Sequence, residues 1–185
     1  APWPERCQAL VSVSGYLINN REAIKAPLPP AAEYAWWYQF YLATEHGRLG
    51  YERNRAEFAK LIWRSASPKW AFDDATFNRS AASFDNPDHV DVVVHNYRWR
   101  QSLADGERIY DDLERRLAAG PTIAVPTIVL EGDANGAPPF VGDSAFRHKF
   151  TGPYAYRLIT GGIGHNLPQE APEAFVQAVL DVSRI

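Results

Sequence analysis

The sequence contains no methionine and a single cysteine, Cys7. One thiol excludes an internal disulfide framework and a cysteine-built zinc site. It leaves the compartment open, because secreted proteins also exist without disulfides; a soluble chain in the cytoplasm, the periplasm or outside the cell fits equally. Basic residues are not in surplus, with 19 Lys and Arg against 22 Asp and Glu and a net charge of −3. That balance gives no electrostatic basis for nucleic acid or an anionic membrane as a partner. No apolar run is long enough to span a bilayer. HExxH and His–Cys sets are missing, and GGIG at 161–164 is neither a Walker loop nor a GxGxxG fingerprint, so neither a metal nor a cofactor is expected. What is present is 185 residues, 46% apolar and 13% aromatic, enough for one domain with a sizeable core.

The lack of methionine also bears on the N-terminus. Ala1 is not a retained translation start, and no cleavable signal sequence follows it. APWPERCQALVSVSGYL reads as the tail of a helix running into a buried strand. The expectation is that the chain is the later part of a longer protein.

Along the chain, LVSV at 10–13 is a short apolar, β-branched run that predicts a strand ending near Gly15. NNREAIKAPLPP at 19–30 is polar and proline-rich and reads as a linker. Helical patterns then dominate to about residue 118. AAEYAWWYQFYLATEHG predicts an aromatic-rich helix ending at Gly47, and GYERNRAEFAKLIWRSASP a second one stopped before Pro68. DDATFNRSAASF has Asp73 and Asp74 as N-terminal signals. NPDHVDVVVHNYRWRQSL has Pro87 suited to a first helical turn, although its VDVVVH core has strand propensity. GERIYDDLERRLAAG is a further amphipathic helix. Strand character returns at Thr127–Leu130, followed by a helix at SAFRHKFTG, a strand at YAYRLITGG and a closing helix at PEAFVQAVLDV. Strand, loop, helix, strand, loop, helix is the order of a mostly parallel sheet covered by helices. The organisation is therefore residues 1–18 as a core remnant, 19–118 as a helical insert placed like a lid, and 119–185 as the later core.

Two loops carry the chemistry. His165 sits in GGIGHNLPQEAP, after a strand and between glycines that permit a sharp turn. It reads either as a base or as a loop histidine capping the last helix. EGDANGAP follows the preceding strand, and a carboxylate there can hydrogen-bond a histidine from the next strand loop and fix its tautomer. Asp133 is the acid in this loop, with Glu131 and Asn135 beside it; the alternative is an ordinary Asp–Asn–Gly turn. His46, His89 and His148 read as surface or insert positions.

These features together resemble a known family. PERCQALVSVSGYL, VPTIVLEGDANG and GGIGHNLPQEAPEAF are similar to the segments that follow the nucleophile elbow in a capped α/β-hydrolase, of the epoxide hydrolase and haloalkane dehalogenase branch. The resemblance covers nearly all of the chain. It implies the α/β-hydrolase fold, with the later strands of a mostly parallel sheet and an inserted helical cap. Such enzymes have the chain order nucleophile, acid, histidine, and this chain holds the last two. Family members often place the acid as G-x-x-D, and from Gly132 that spacing falls on Asn135; Asp133 is assigned the acid role, with Asn135 as a polar neighbour.

The resemblance extends into the cap. WWYQFYLATEHG and HNYRWR are similar to the two cap segments of epoxide hydrolases, which makes Tyr38 and Tyr97 the pair that donates to an epoxide oxygen. Two phenol hydroxyls suit that task, because ring opening builds negative charge on oxygen. The plain alternative is that these rings only pack the cap. Trp36, Trp37, Phe40, Tyr41 and His95 are the expected pocket residues, for a small apolar substrate. The implied reaction is epoxide hydrolysis through an ester on an upstream aspartate, with His165 activating water and no cofactor. The nucleophile-bearing part is expected as a separate chain or segment, and an oligomer is possible. The alternatives are a haloalkane dehalogenase, with Trp36 or Trp37 as halide donors, a serine esterase, and a non-catalytic ligand-binding homologue.

Overall fold

The computed structural model describes residues 2–137 and 142–185. In chain order the main elements are β1 (Leu10–Val13), α1 (Arg21–Ile24), α2 (Pro30–Ala35), α3 (Trp37–Ala43), α4 (Glu45–Ala66), α5 (Asp74–Ala81), α6 (His89–Arg100), α7 (Asp111–Ala118), β2 (Thr127–Gly132), β3 (Tyr154–Ile159), α8 (Leu167–Glu170) and α9 (Pro172–Asp181). The chain divides into two compact units. One holds Ala1–Asn20, Ala66–Trp70 and Asp112–Ile185, the other Arg21–Ser65 and Ala71–Asp111.

The first unit is built on a parallel sheet in the order β1-β2-β3. All six residues of β2 are buried, as expected for a central parallel strand covered on both faces. Alternation along β2 decides which core each side chain joins. Ile128 and Leu130 pack with Leu167, Ala178 and Val182, below α9. Val129 joins Ile123 and Phe150 on the other face. An Arg157–Asp181 ion pair of 2.9 Å ties β3 to α9. Because the strands are parallel, their C-terminal ends lie along one edge, and the residues just beyond them, Ser14, Asp133 to Asn135 and Gly161 to His165, are brought to that edge together.

The second unit is helical. Leu42, Tyr51, Val90 and Val94 form its core, with Tyr38, Tyr41, Phe58 and Tyr97 packed against it. The VDVVVH stretch is helix rather than strand because Val90, Val94 and Tyr97 fall on one helical stripe, and burying that stripe outweighs the β-branched preference.

Several local expectations differ from the structure. The proline-rich linker contains one helical turn, α1. The single helix expected up to Gly47 is two, α2 and α3, broken at Trp36 (φ −104°, ψ 20°). Gly47 does not end a helix; it lies in the first turn of α4, where the Thr44 hydroxyl accepts its N–H at 2.9 Å. A Cβ at Gly47 would stand 1.7 Å from the Tyr41 carbonyl oxygen, so the glycine allows the close approach of α3 and α4. α4 is itself kinked at Asn54 (φ −132°, ψ 34°). SAFRHKFTG is not a helix but two short 3₁₀ turns, Asp143–Ala145 and Arg147–Lys149, interrupted where Phe146 turns into the core. Finally, residues 66–70 and 112–118 belong with the strands, not with the helical stretch in which the sequence reading placed them. Among the described residues no helix is long and apolar enough to cross a membrane.

Candidate active site

The histidine loop is held by two separate anchors. Gly161 and Gly162 take φ values of +110° and +88°, a region that costs a side chain energy and a glycine little. That conformation aims consecutive N–H groups inward. Gly161 N donates to Asp133 Oδ2 at 3.1 Å, and Gly162 N and Ile163 N to Oδ1 at 2.8 and 2.9 Å. Burial raises the Asp133 pKa, but the three N–H donors and the Lys69 charge outweigh it and hold the carboxyl below its usual value. The second anchor is Ser67, 1% exposed. Its hydroxyl donates to Glu170 Oε1 at 2.7 Å and accepts from His165 N, Asn166 N and Asn166 Nδ2 at 2.9 to 3.2 Å. Glu170 accepts from Gly164 N at 2.7 Å and Asn166 N at 2.9 Å. Gly164 is required for this closeness, since a Cβ there would meet the Ser67 backbone at 2.5 Å.

The imidazole of His165 has its Nδ1 3.2 Å from Asn135 Oδ1. The sequence reading gave the orienting role to Asp133; in the structure that carboxylate is occupied by loop N–H groups, and the residue opposite His165 is Asn135. The strand stops at Gly132, so residues 133 and 135 do not share a face as an extended strand would require. Which way the Asn135 amide points is fixed by its other partners. Oδ1 accepts from Ala137 N at 3.0 Å, and Nδ2 donates to Glu131 Oε1 at 2.9 Å and to Ser14 Oγ at 3.2 Å. With an oxygen facing it, Nδ1 of His165 carries the proton, and Nε2 keeps its lone pair. Desolvation lowers the His165 pKa below the ordinary histidine value, against the charges of Glu131 and Glu170, which raise it. The ring is therefore neutral at neutral pH and able to accept a proton on Nε2.

In the helical unit, Tyr38 and Tyr97 meet edge to face, with ring centroids 5.7 Å apart at 90°. Burial, with lesser contributions from Tyr38 and Tyr51 and an opposing one from Arg100, pushes the Tyr97 pKa up to about 12. Both rings pack on the core of this unit. Tyr41 stacks on Phe58 at 5.6 Å and 17°, which makes it a packing residue of this unit. Trp37 is 38% and Phe40 44% exposed, Trp36 is half-buried, and His95 is exposed, on a different face of α6 from Tyr97. The structure also adds residues that the sequence reading passed over: Ser67, Glu170, Ser14 and Tyr51, whose hydroxyl lies 2.8 Å from His89 Nε2. Nothing local in RSASP marks Ser67, because its partners lie about a hundred residues away. Among the described residues no three His, Cys, Asp or Glu are grouped so as to hold a metal ion.

The chain is similar to a crystallised "putative epoxide hydrolase" from Klebsiella pneumoniae, with 55% identity and a TM-score of 0.96 over 99% of this chain and 60% of that one. It thus spans less than two thirds of that relative. A "putative alpha/beta hydrolase" from Nostoc gives a TM-score of 0.69 at 18% identity, over 97% of this chain and 58% of that one. A "putative acyltransferase" from Salmonella enterica gives 0.69 at 16%, over 97% and 57%. At such identities the last two show the fold alone, and their different descriptions at one TM-score illustrate that the fold does not choose the reaction. No family model matches the chain, and no curated protein does.

Proposed function

The chain carries the later strands of an α/β-hydrolase fold and resembles that superfamily's epoxide-hydrolase-like branch, and from that premise we propose that it supplies the water-activating half of a covalent epoxide hydrolysis. An aspartate upstream of Ala1 attacks an epoxide carbon, the C–O bond breaks, and an ester forms. The oxygen released takes a proton from Tyr97 or Tyr38. His165 Nε2 then removes a proton from water, and the hydroxide attacks the ester carbonyl. Collapse of that adduct frees the diol and restores the carboxylate, and the proton held by His165 returns through solvent to the tyrosinate.

The observation that carries the reading is the pinned Asn135 amide, whose oxygen faces His165 Nδ1 at 3.2 Å and leaves Nε2 as the basic atom. Two further features support it. A Tyr97 pKa near 12 keeps its phenol protonated and able to donate at any ordinary pH. The aromatic surface of the helical unit, with Trp37 and Phe40 exposed, suits an apolar substrate.

A non-catalytic ligand-binding homologue is the second reading. Asn135 favours it, because an amide offsets an imidazolium's charge less well than a carboxylate.

A single turnover of a styrene-oxide-like epoxide in ¹⁸O-water separates the readings. An ester route puts unlabelled enzyme oxygen into the first diol, and His165→Gln stalls as a covalent adduct visible by mass spectrometry. Label in the first diol would exclude the ester route. Absence of turnover of any epoxide would exclude the substrate class, and release of halide or carboxylic acid from other substrates would favour the dehalogenase or esterase alternative.

A further inference from the structure

We infer that Glu131 is the positioning carboxylate of this site, acting on His165 through the side chain of Asn135. The inference rests on reading His165 as the base proposed above.

Glu131 is 8% exposed in the central strand, and among the described residues it makes no ion pair. A buried carboxylate without a cation is unfavourable unless its charge is used. Its hydrogen-bond partner is Asn135 Nδ2 at 2.9 Å. Reversing that amide would set its oxygen against the Glu131 carboxylate and its NH2 against the N–H of Ala137. The contact of Nδ2 with Glu131 Oε1 and that of Ala137 N with Oδ1 select the same orientation, and that orientation presents the oxygen to His165. Ser14 completes the set as the other acceptor of Nδ2 at 3.2 Å. It holds a φ of +63°, a strained conformation for a residue with a side chain, of the kind kept at functional sites. A carboxylate, an amide and an imidazole thus stand in line, the arrangement of an acid–base pair with an amide inserted.

The other groups around this line have separate tasks or effects. Glu170 adds negative charge near His165 but is engaged by Ser67, Gly164 and Asn166. Tyr156, on β3, has its pKa raised first by burial and then by the Glu131 and Asp143 charges.

The test uses the intact protein with ¹⁵N-labelled histidine, read by NMR across pH. The parent is expected to show His165 as the Nδ1–H tautomer. In Glu131→Gln the amide keeps Ala137 N and Ser14 Oγ but loses the carboxylate that holds Nδ2, so the Nδ1–H tautomer loses part of its share and the His165 pKa falls. Turnover of an epoxide falls on the order of 10–100-fold, by analogy with outer partners of ligating groups, with KM little changed. Adding Asn135→Asp to Glu131→Gln places a carboxylate directly opposite Nδ1 and is expected to restore both the pKa and the Nδ1–H tautomer. An Nε2–H tautomer in the parent overturns the inference, as does a Glu131→Gln protein whose His165 titrates like the parent. Should Glu131→Gln not fold, Asn135→Ala cuts the same line with Glu131 in place; an unchanged His165 there also overturns it. These readouts need no substrate. A protein inert toward epoxides but with the expected tautomer and shifts would retain Glu131 and remove the hydrolase reading.

Discussion

Asn135 Oδ1 stands 3.2 Å from His165 Nδ1, so a neutral amide occupies the place opposite the histidine where a triad would hold a carboxylate. Meanwhile the Asp133 carboxylate accepts three backbone N–H groups from residues 161–163. One loop thus divides two tasks: Asp133 holds the histidine loop, and Asn135 addresses the ring.

The acid limb of the pH–rate profile follows from this arrangement. The His165 pKa is lowered by desolvation despite Glu131 and Glu170, so the ring stays neutral and basic below the ordinary histidine value of about 6.5. The rate of ester hydrolysis is expected to hold as pH falls past that value, and to decline only further down. Asn135→Asp should move the limb upward. Stability follows the same sign: the unfolded chain takes up the proton first, so the folded state loses stability as pH falls from about 6.5 toward the lowered value. A profile measured from pH 4 to 8 with the limb at or above the ordinary value contradicts this.

Asp133→Asn is expected to loosen the loop rather than remove the base. Its folded pKa is depressed, so its contribution to stability is complete above the ordinary aspartate value of about 3.9 and is lost as pH falls through the depressed one. The variant should therefore differ most from the parent near neutrality and converge with it in strong acid. Faster amide exchange at Gly161–Ile163, compared by NMR at pH 7 and pH 3, checks it. Equal exchange in both proteins at pH 7 would remove the clamp.

Tyr97→Phe should lower epoxide opening by about 10²-fold or more, the usual worth of a positioned acid, while leaving the hydrolysis of a preformed ester unchanged. In the parent, ultraviolet titration should find two phenols that ionise only at about 12, Tyr97 and Tyr154, both raised first by burial, and one of the two should be missing from the variant. Epoxide opening at the parental rate would reduce the tyrosine pair to packing.

Ser67→Ala removes a hydroxyl that accepts from His165 N, Asn166 N and Asn166 Nδ2 and donates to Glu170. His165 N keeps the Ala66 carbonyl and Asn166 N keeps Glu170 Oε1, so the cost is that of lost hydrogen bonds, about 0.5–1.5 kcal/mol each. Thermal unfolding should shift downward, and the His165 resonances should broaden as the loop loses its second anchor. Ser67→Thr keeps the hydroxyl but adds a methyl in a site with 1% exposure, so it is expected to recover only part of the loss.

The strands were legible because LVSV, TIVL and YAYRLI combine β-branched or aromatic content with short length. A mostly parallel sheet was expected from the alternation of strand and helix patterns, although the segment between β2 and β3 that was expected as a helix holds two 3₁₀ turns. The loop that carries His165, placed after β3, was legible from its glycines. The ring's partner was less so. The spacing from Gly132 does single out Asn135, but the chemical expectation of a carboxylate drew attention to Asp133 instead. What Asp133 does depends on the positive φ of Gly161 and Gly162, which no residue count reveals. The same limit applies at Gly47: a glycine after a helical run reads as a stop, and only the 1.7 Å approach of the Tyr41 carbonyl to its missing Cβ identifies it as a crossing point.

Residues 66–70 lie between two helical stretches in sequence yet belong with the sheet, and Ser67 among them holds the histidine loop. The helical unit is consequently not a single cassette. An exchange of 19–118 between homologues, as a recombination experiment would first attempt, removes the serine on which the histidine loop rests and grafts in another protein's. Chimaeras joined at 20/21, 65/66, 70/71 and 111/112 keep that residue with its own loop, so the inheritance of substrate preference and the inheritance of an ordered histidine become separable traits.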